Sequence, residues 1–222
     1  MTPDYERAAA AAAETLIKYG INSAPVDSLY ILKQIPGVLV VSYEDLSNDV
    51  AMDRQCVITT YGERNQDSIT AVNMKDGKPQ YVVACNQRLP WFLLQRSLAR
   101  ELGHIILGHD GSLPEDVRNE EAKCFAHHLL SPRALIHSVE ATGIRFTVEV
   151  LNNLTGCNDY CLSCMRKLPP IHVPAELNRA VRDQFMPYMI NFFAYQRHAT
   201  LKDGSALAYL GNYMEGYVER SH

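Results

Sequence analysis

The 222-residue chain is 47% hydrophobic and 21% charged, with a formal net charge of −4. That balance is ordinary for a globular protein and argues against disorder. No run of Lys and Arg exceeds two residues, so direct binding of nucleic acid is not expected, and no stretch approaches the ~20 apolar residues of a membrane span.

Residues 8–13 are an unbroken alanine run. Asp4 and Glu6 precede it in place of a basic leader, so it predicts an N-terminal helix ending near Tyr19-Gly20 rather than a signal peptide. A second short helix opens after Asn22 or Ser23 as cap and stops at Pro36-Gly37. Residues 38–43 and 56–61 read as strands. Residues 69–73 and 81–85 read as a hairpin about Asp76-Gly77. A helix beginning at Pro90 carries Phe92, Leu94, Leu98, Leu102 and Ile105 at three- and four-residue steps and ends at Gly108 and Gly111. Further helices are predicted over 114–130, 132–142, 147–153 and 157–168. Pro169-Pro170 and Pro174 form a linker to a helical extension over 175–198. Its Phe185, Tyr188, Met189, Phe192, Phe193 and Tyr195 form an aromatic face expected to pack on the main domain, the alternative being a partner surface. The domain division is 1–168 and 169–222.

Arg100-Glu101-Leu102-Gly103-His104 is the stretch that carries chemistry. With His in the first position it would read H-E-x-x-H, in which residues at i and i+4 lie one above the other on a helix and grip one zinc ion. The intervening Glu, turned by ~100° about the axis, reaches the water on the metal's open side.

The segment from Leu98 to His109, followed by Glu120-Glu-Ala-Lys-Cys-Phe-Ala-His-His-Leu-Leu-Ser-Pro132, resembles the ImmA/IrrE family of zinc metallopeptidases. That family's pattern is approximately A-H-E-L-G-H-x-x-L-G-H, then E-A-N-x-F-A-x-x-L-L-x-P. The resemblance implies an α+β, zincin-like fold: a small, mostly antiparallel sheet packed on a helical bundle that carries the motif helix. It also implies His104 as second zinc ligand, Glu101 as general base and Glu121 as third ligand, with Glu120 standing beside it. The activity implied is a zinc-dependent endopeptidase that cleaves a regulatory protein, typically a helix-turn-helix repressor.

Arg100 departs from the pattern at the first ligand. A guanidinium is always protonated, has no lone pair to donate and shares the metal's sign of charge. Two remaining ligands seldom hold zinc, which is then expected to bind weakly or not at all. Three readings follow. Arg100 forms an ion pair with Glu121 or Glu101 in place of the metal, or His109, His127 or His128 serves as substitute ligand, or Arg100 points to solvent from a decayed site. His109 lies ~140° around an ideal helix from His104, so its use requires the helix to unwind near Gly108.

Cys157, Cys161 and Cys164 have spacings that occur in metal sites, but no fourth Cys follows, and core packing is the simpler reading. Cys85 and Cys124 are also expected in the core, and six cysteines in this length suit reduced thiols in a cytoplasm. The expected function is a regulatory, metal-impaired protein that binds a protein partner such as a repressor. The alternative is an active zinc endopeptidase with His109 or His128 as substitute ligand.

Overall fold

The computed structural model describes residues 1–49, 67–75, 77–110, 112–142, 147–156 and 171–200. The strand expected over 56–61, the helix over 157–168, the Pro169-Pro170 pair, Gly111 and the three-cysteine cluster lie outside these residues. The described chain is α+β, with a three-stranded mixed sheet and nine helices among the described residues.

Helix α1 (Tyr5–Lys18) is capped by Asp4, whose carboxylate accepts the Arg7 N–H at 2.9 Å. The alanine run has a purpose beyond propensity: Ala8, Ala9, Ala12, Ala13 and Leu16 are buried, and such small side chains let neighbouring helices approach closely. Helix α2 (Ser28–Gln34) starts later than the sequence implied, because Asp27, not Asn22 or Ser23, accepts the N–H groups of Leu29 and Tyr30.

Strand β1 (Val38–Ser42) gives way to α3 (Tyr43–Asp49), a short helix the sequence reading did not anticipate. Its start is marked by Ser42, whose hydroxyl accepts the Asp45 N–H at 2.8 Å. Strands β2 (Ser68–Lys75) and β3 (Lys78–Cys85) form the expected antiparallel hairpin. However, β1 pairs in parallel with β3, giving the order β1-β3-β2. Among the described residues the sheet is therefore mixed, with one pairing of each kind, rather than mostly antiparallel. Side-chain alternation sends Val38, Val40, Tyr81, Val83 and Cys85 into the main core, while Ala84, Val41 and Ile69 face α3 with Tyr43.

Helices α4 (Trp91–Ile106) and α5 (Glu115–Leu130) pack on each other, with α4 against β2 and β3 and α5 against α1. Gly103 lets them approach: a Cβ there would stand 3.1 Å from the Phe125 ring and 3.2 Å from the Ala122 Cα. Helices α6 (Arg133–Ala141) and α7 (Val148–Thr155) follow.

The extension expected as one helix is two, α8 (Ala175–Gln184) and α9 (Met186–Thr200). Pro187 explains the break, since it has no N–H to donate and its ring would clash with the carbonyl four residues earlier. Val181, Phe185, Met189, Phe192 and Phe193 join the same core as α1 and α5, while Tyr195 is exposed. Gln184 Nε2 donates to the carbonyls of Leu16 and Ile21, and the Tyr188 hydroxyl donates to that of Leu154. The aromatic face is thus core packing. No helix among the described residues is long and apolar enough to cross a membrane.

Candidate functional site

A cleft of about 420 Å³ opens between β2, α4 and the first turns of α5. Its floor is the R-E-x-x-H helix: Arg100, Glu101 and His104 all line it. From α5 come Glu115, Arg118 and Asn119, and from the loop between the two helices His109 and Asp110.

Glu101 is buried, with each carboxylate oxygen bonded to a hydroxyl of β2. Ser68 Oγ lies 2.9 Å from Oε1, and Thr70 donates to Oε2 at 2.7 Å. Ser68 also meets Ser97 on α4 through a hydroxyl–hydroxyl contact. Residues 68 and 70 share one face of a strand, so their period-two spacing aims both hydroxyls at one carboxylate. The sequence reading missed both, although a Ser-x-Thr alternation on a strand was a legible signal. Charge-assisted bonds of this kind contribute roughly 1.5–3 kcal/mol each.

His109 reaches the cleft because of how α4 ends. Gly108 takes a left-handed φ of +65°, its N–H donates to the Ile105 carbonyl, and the His109 N–H donates to the His104 carbonyl at 3.0 Å. This is a Schellman closure, and it folds His109 back over the last turn. The unwinding near Gly108 that a substitute role required is present.

The result is a hydrogen-bonded chain of three side chains. His104 Nδ1 and His109 Nδ1 are 2.9 Å apart, and His109 Nε2 stands 3.0 Å from Glu121 Oε2. The other Glu121 oxygen accepts the Asp4 N–H at 2.8 Å, from the capping residue of α1. The side chains of His109 and Glu121 are 1% and 4% exposed, so this pair is shielded from solvent, while His104 borders the cleft. Arg7 of α1 donates to the Leu107 carbonyl and ties the same corner together. Glu120, by contrast, points outward and pairs with Lys123 at 2.6 Å. Of the two adjacent carboxylates, only Glu121 is turned into the buried cluster.

Burial lowers the His104 pKa to about 4, helped by the neighbouring His109, Arg100 and Arg118. The imidazole is therefore neutral at ordinary pH. Arg100 itself forms no ion pair with Glu101 or Glu121 among the described residues, so the first of the three readings of this residue is corrected. The oxygens of both carboxylates are already taken by other partners. Nor does Arg100 simply face solvent, because its Nε is buried without a hydrogen-bond partner, as is the Nε of Arg118. A buried donor without an acceptor costs roughly 1–3 kcal/mol. Arg118 was not singled out in the sequence, though it precedes Glu121 by three residues and so shares its helix face.

As arranged, these donors do not fit a zinc ion. The His109 ring lies between His104 and Glu121 and offers each a different nitrogen, so three lone pairs do not converge on one point. Two ligands on one tetrahedral zinc would stand about 3.3 Å apart, given bonds near 2.0–2.1 Å. The observed 2.9 and 3.0 Å separations are hydrogen-bond lengths. No group of three His, Cys, Asp or Glu among the described residues is placed to hold a metal.

His128 is not brought to the cleft. It lines a small cavity beside Ala9, Ala13, Leu16 and Val181, and burial lowers its pKa to about 3. His127 is buried nearby and lowered to about 4. Cys85 and Cys124 are free, buried thiols whose pKa values burial raises to about 11 and about 12, as suits core residues rather than nucleophiles. Comparison with family models, curated proteins and solved structures found no match to this chain.

Proposed function

We propose that this is an ImmA/IrrE-like regulatory protein on a zincin-like scaffold, with a metal-impaired site, that acts by binding a protein partner such as a helix-turn-helix repressor. One observation carries the reading. The His109 imidazole bridges His104 and Glu121 by two hydrogen bonds, joining the two residues at ligand positions to each other. Arg100, at the first ligand's position, adds a cation where a metal would need a lone pair. Glu101, at the general base's position, is held by two β2 hydroxyls.

The test is zinc content of purified, tag-free protein by elemental mass spectrometry. Well under one zinc per chain is expected, rising toward one in Arg100→His combined with His109→Ala. About one zinc per chain in the unaltered protein would overturn the metal-impaired reading. A second reading, an active zinc endopeptidase with His109 as substitute ligand, draws on the nearness of His109 to His104 and Glu121 and requires the His109 ring to turn so that the three donors face one point. Cleavage of a repressor by the intact protein, abolished by Glu101→Gln, would establish it.

A further inference from the structure

The chain of His104, His109 and Glu121 has a direction, and donor counting gives it. An ionised carboxylate only accepts, and the two Glu121 oxygens face the Asp4 N–H and His109 Nε2. His109 therefore carries its proton on Nε2. A neutral imidazole has one N–H, so His109 Nδ1 is left as an acceptor. His104 Nδ1, 2.9 Å away, must donate to it. That spends the His104 proton, and its Nε2 keeps a lone pair.

This nitrogen belongs to the cleft. His104 borders the cleft, its Nδ1 is turned to His109, and its Nε2 has no hydrogen-bond partner among the described residues. Unlike the Nε atoms of Arg100 and Arg118, it is not shut away from solvent. We propose that Glu121, acting through His109, fixes His104 as a hydrogen-bond acceptor at the cleft floor, and that the group it receives is the ammonium of a lysine presented by a protein partner. This rests on the partner-binding reading above and names the group recognised. Glu121 and His109 are then positioning residues, and His104 is the one that touches the partner.

The surroundings select lysine among donors. Asp67, Glu101, Asp110 and Glu115 line the cleft and outnumber Arg100 and Arg118, and Asp110 and Glu115 are exposed. A cationic donor is favoured there over a neutral amide or hydroxyl. One lone pair is a single point of acceptance, which suits a compact ammonium better than a planar guanidinium fork. Val72, 58% exposed, and Tyr81 line the hairpin side of the cleft, where the methylene stem of a lysine can lie.

Two readouts test this. At about pH 8, above the ordinary imidazole value, nitrogen NMR of the full chain should find the His104 proton on Nδ1 and the His109 proton on Nε2. In Glu121→Gln the amide oxygen keeps the Asp4 N–H and the amide nitrogen donates to His109, so both imidazoles should exchange tautomer. A merely structural role for Glu121 would change stability without reversing the chain. The ligand probe is N-acetyl-lysine N-methylamide, expected to shift the His104 Nε2 signal saturably. Its trimethylated form keeps the charge but has no N–H to donate, and should bind at least about tenfold more weakly. Glu121→Gln should weaken binding of the lysine probe by at least about tenfold, or about 1.4 kcal/mol, because an N–H then meets the ammonium. The proposal is overturned by a proton on His104 Nε2 in the unaltered protein, by unchanged tautomers in Glu121→Gln, by absence of saturation, or by equal binding of the trimethylated form. The first readout and the two probes need no variant, so they decide the matter even where Glu121→Gln fails to fold. Zinc content is measured separately, so failure here would leave the metal-impaired reading standing.

Discussion

Helix α5 carries two sets of buried polar residues, one at each end, and they differ in what surrounds them. Near its start, Glu121 meets the His109 ring and the Asp4 N–H, with Arg118 on the same face lining the cleft. In its last turn, His127 and His128 are equally buried, and His128 faces alanines and leucine from α1. Burial lowers the imidazoles in both regions: His104 across the cleft falls to about 4, as does His127, and His128 to about 3. A depressed histidine is therefore no guide to a site here. Hydrogen bonds between side chains of separate elements distinguish the cleft, whereas the small cavity beside His128 sets Arg133 and Asn178 among apolar side chains.

Acid should expose the helix end most strongly. His127 and His128 stay neutral in the fold down to about 4 and about 3, while in the unfolded chain each takes a proton near 6.5. Below pH 6.5 the unfolded state binds more protons. The stability these residues contribute is thus complete above 6.5 and lost as pH falls toward the folded values. At about 1.4 kcal/mol per pH unit each, the pair should lower stability by about 3 kcal/mol per pH unit between about pH 6 and pH 4. His104 acts in the same direction. Urea unfolding across this range measures the slope, and His127→Phe with His128→Leu should remove most of it. An unchanged slope in that double variant would mean the acid sensitivity lies in the cleft instead.

Removing a cleft partner should cost about as much at neutral pH. Glu121→Ala strips the acceptor from both Asp4 and His109, and bonds to a charged group are each worth roughly 1.5–3 kcal/mol. A loss of about 3 kcal/mol is expected in chemical denaturation. His128→Leu, a swap of similar volume, should cost less than about 1.5 kcal/mol. Equal losses at the two positions would erase the distinction between the two ends of α5.

The smallest effect concerns the approach of α4 to α5. Gly103→Ala gains about 1 kcal/mol of helix propensity but drives a methyl against Phe125 and the Ala122 backbone. Overpacking costs about 1–3 kcal/mol, so a net loss of about 1 kcal/mol is expected in thermal or urea unfolding. The His104–His109 contact should also loosen, visible in imidazole NMR shifts. A stabilised variant would show that the close helix approach does not hold the cleft together.

Local pattern made much of the fold legible. The three- and four-residue spacing of α4, the Pro114 start and Ser131 stop of α5, and the hairpin of β2 and β3 all depend on neighbours in sequence, where propensity and periodicity act. The errors also have local causes. Pro187 divides α8 from α9, and Asp27 caps α2 in place of the residues chosen. The parallel pairing of β1 with β3 has no such signal, because register between strands forty residues apart depends on what each buries.

By itself the sequence determined the motif helix, the lack of a metal-donating lone pair at Arg100 and the candidacy of Glu101, His104, His109 and Glu121, since side-chain chemistry and helical spacing are local properties. Tertiary structure alone decided what those residues touch. It placed Asp4, 117 positions away, on Glu121, and Ser68 and Thr70, about thirty positions away, on Glu101. Packing of α1, β2, α4 and α5 around one core sets those distances, and no window of neighbouring residues encodes them.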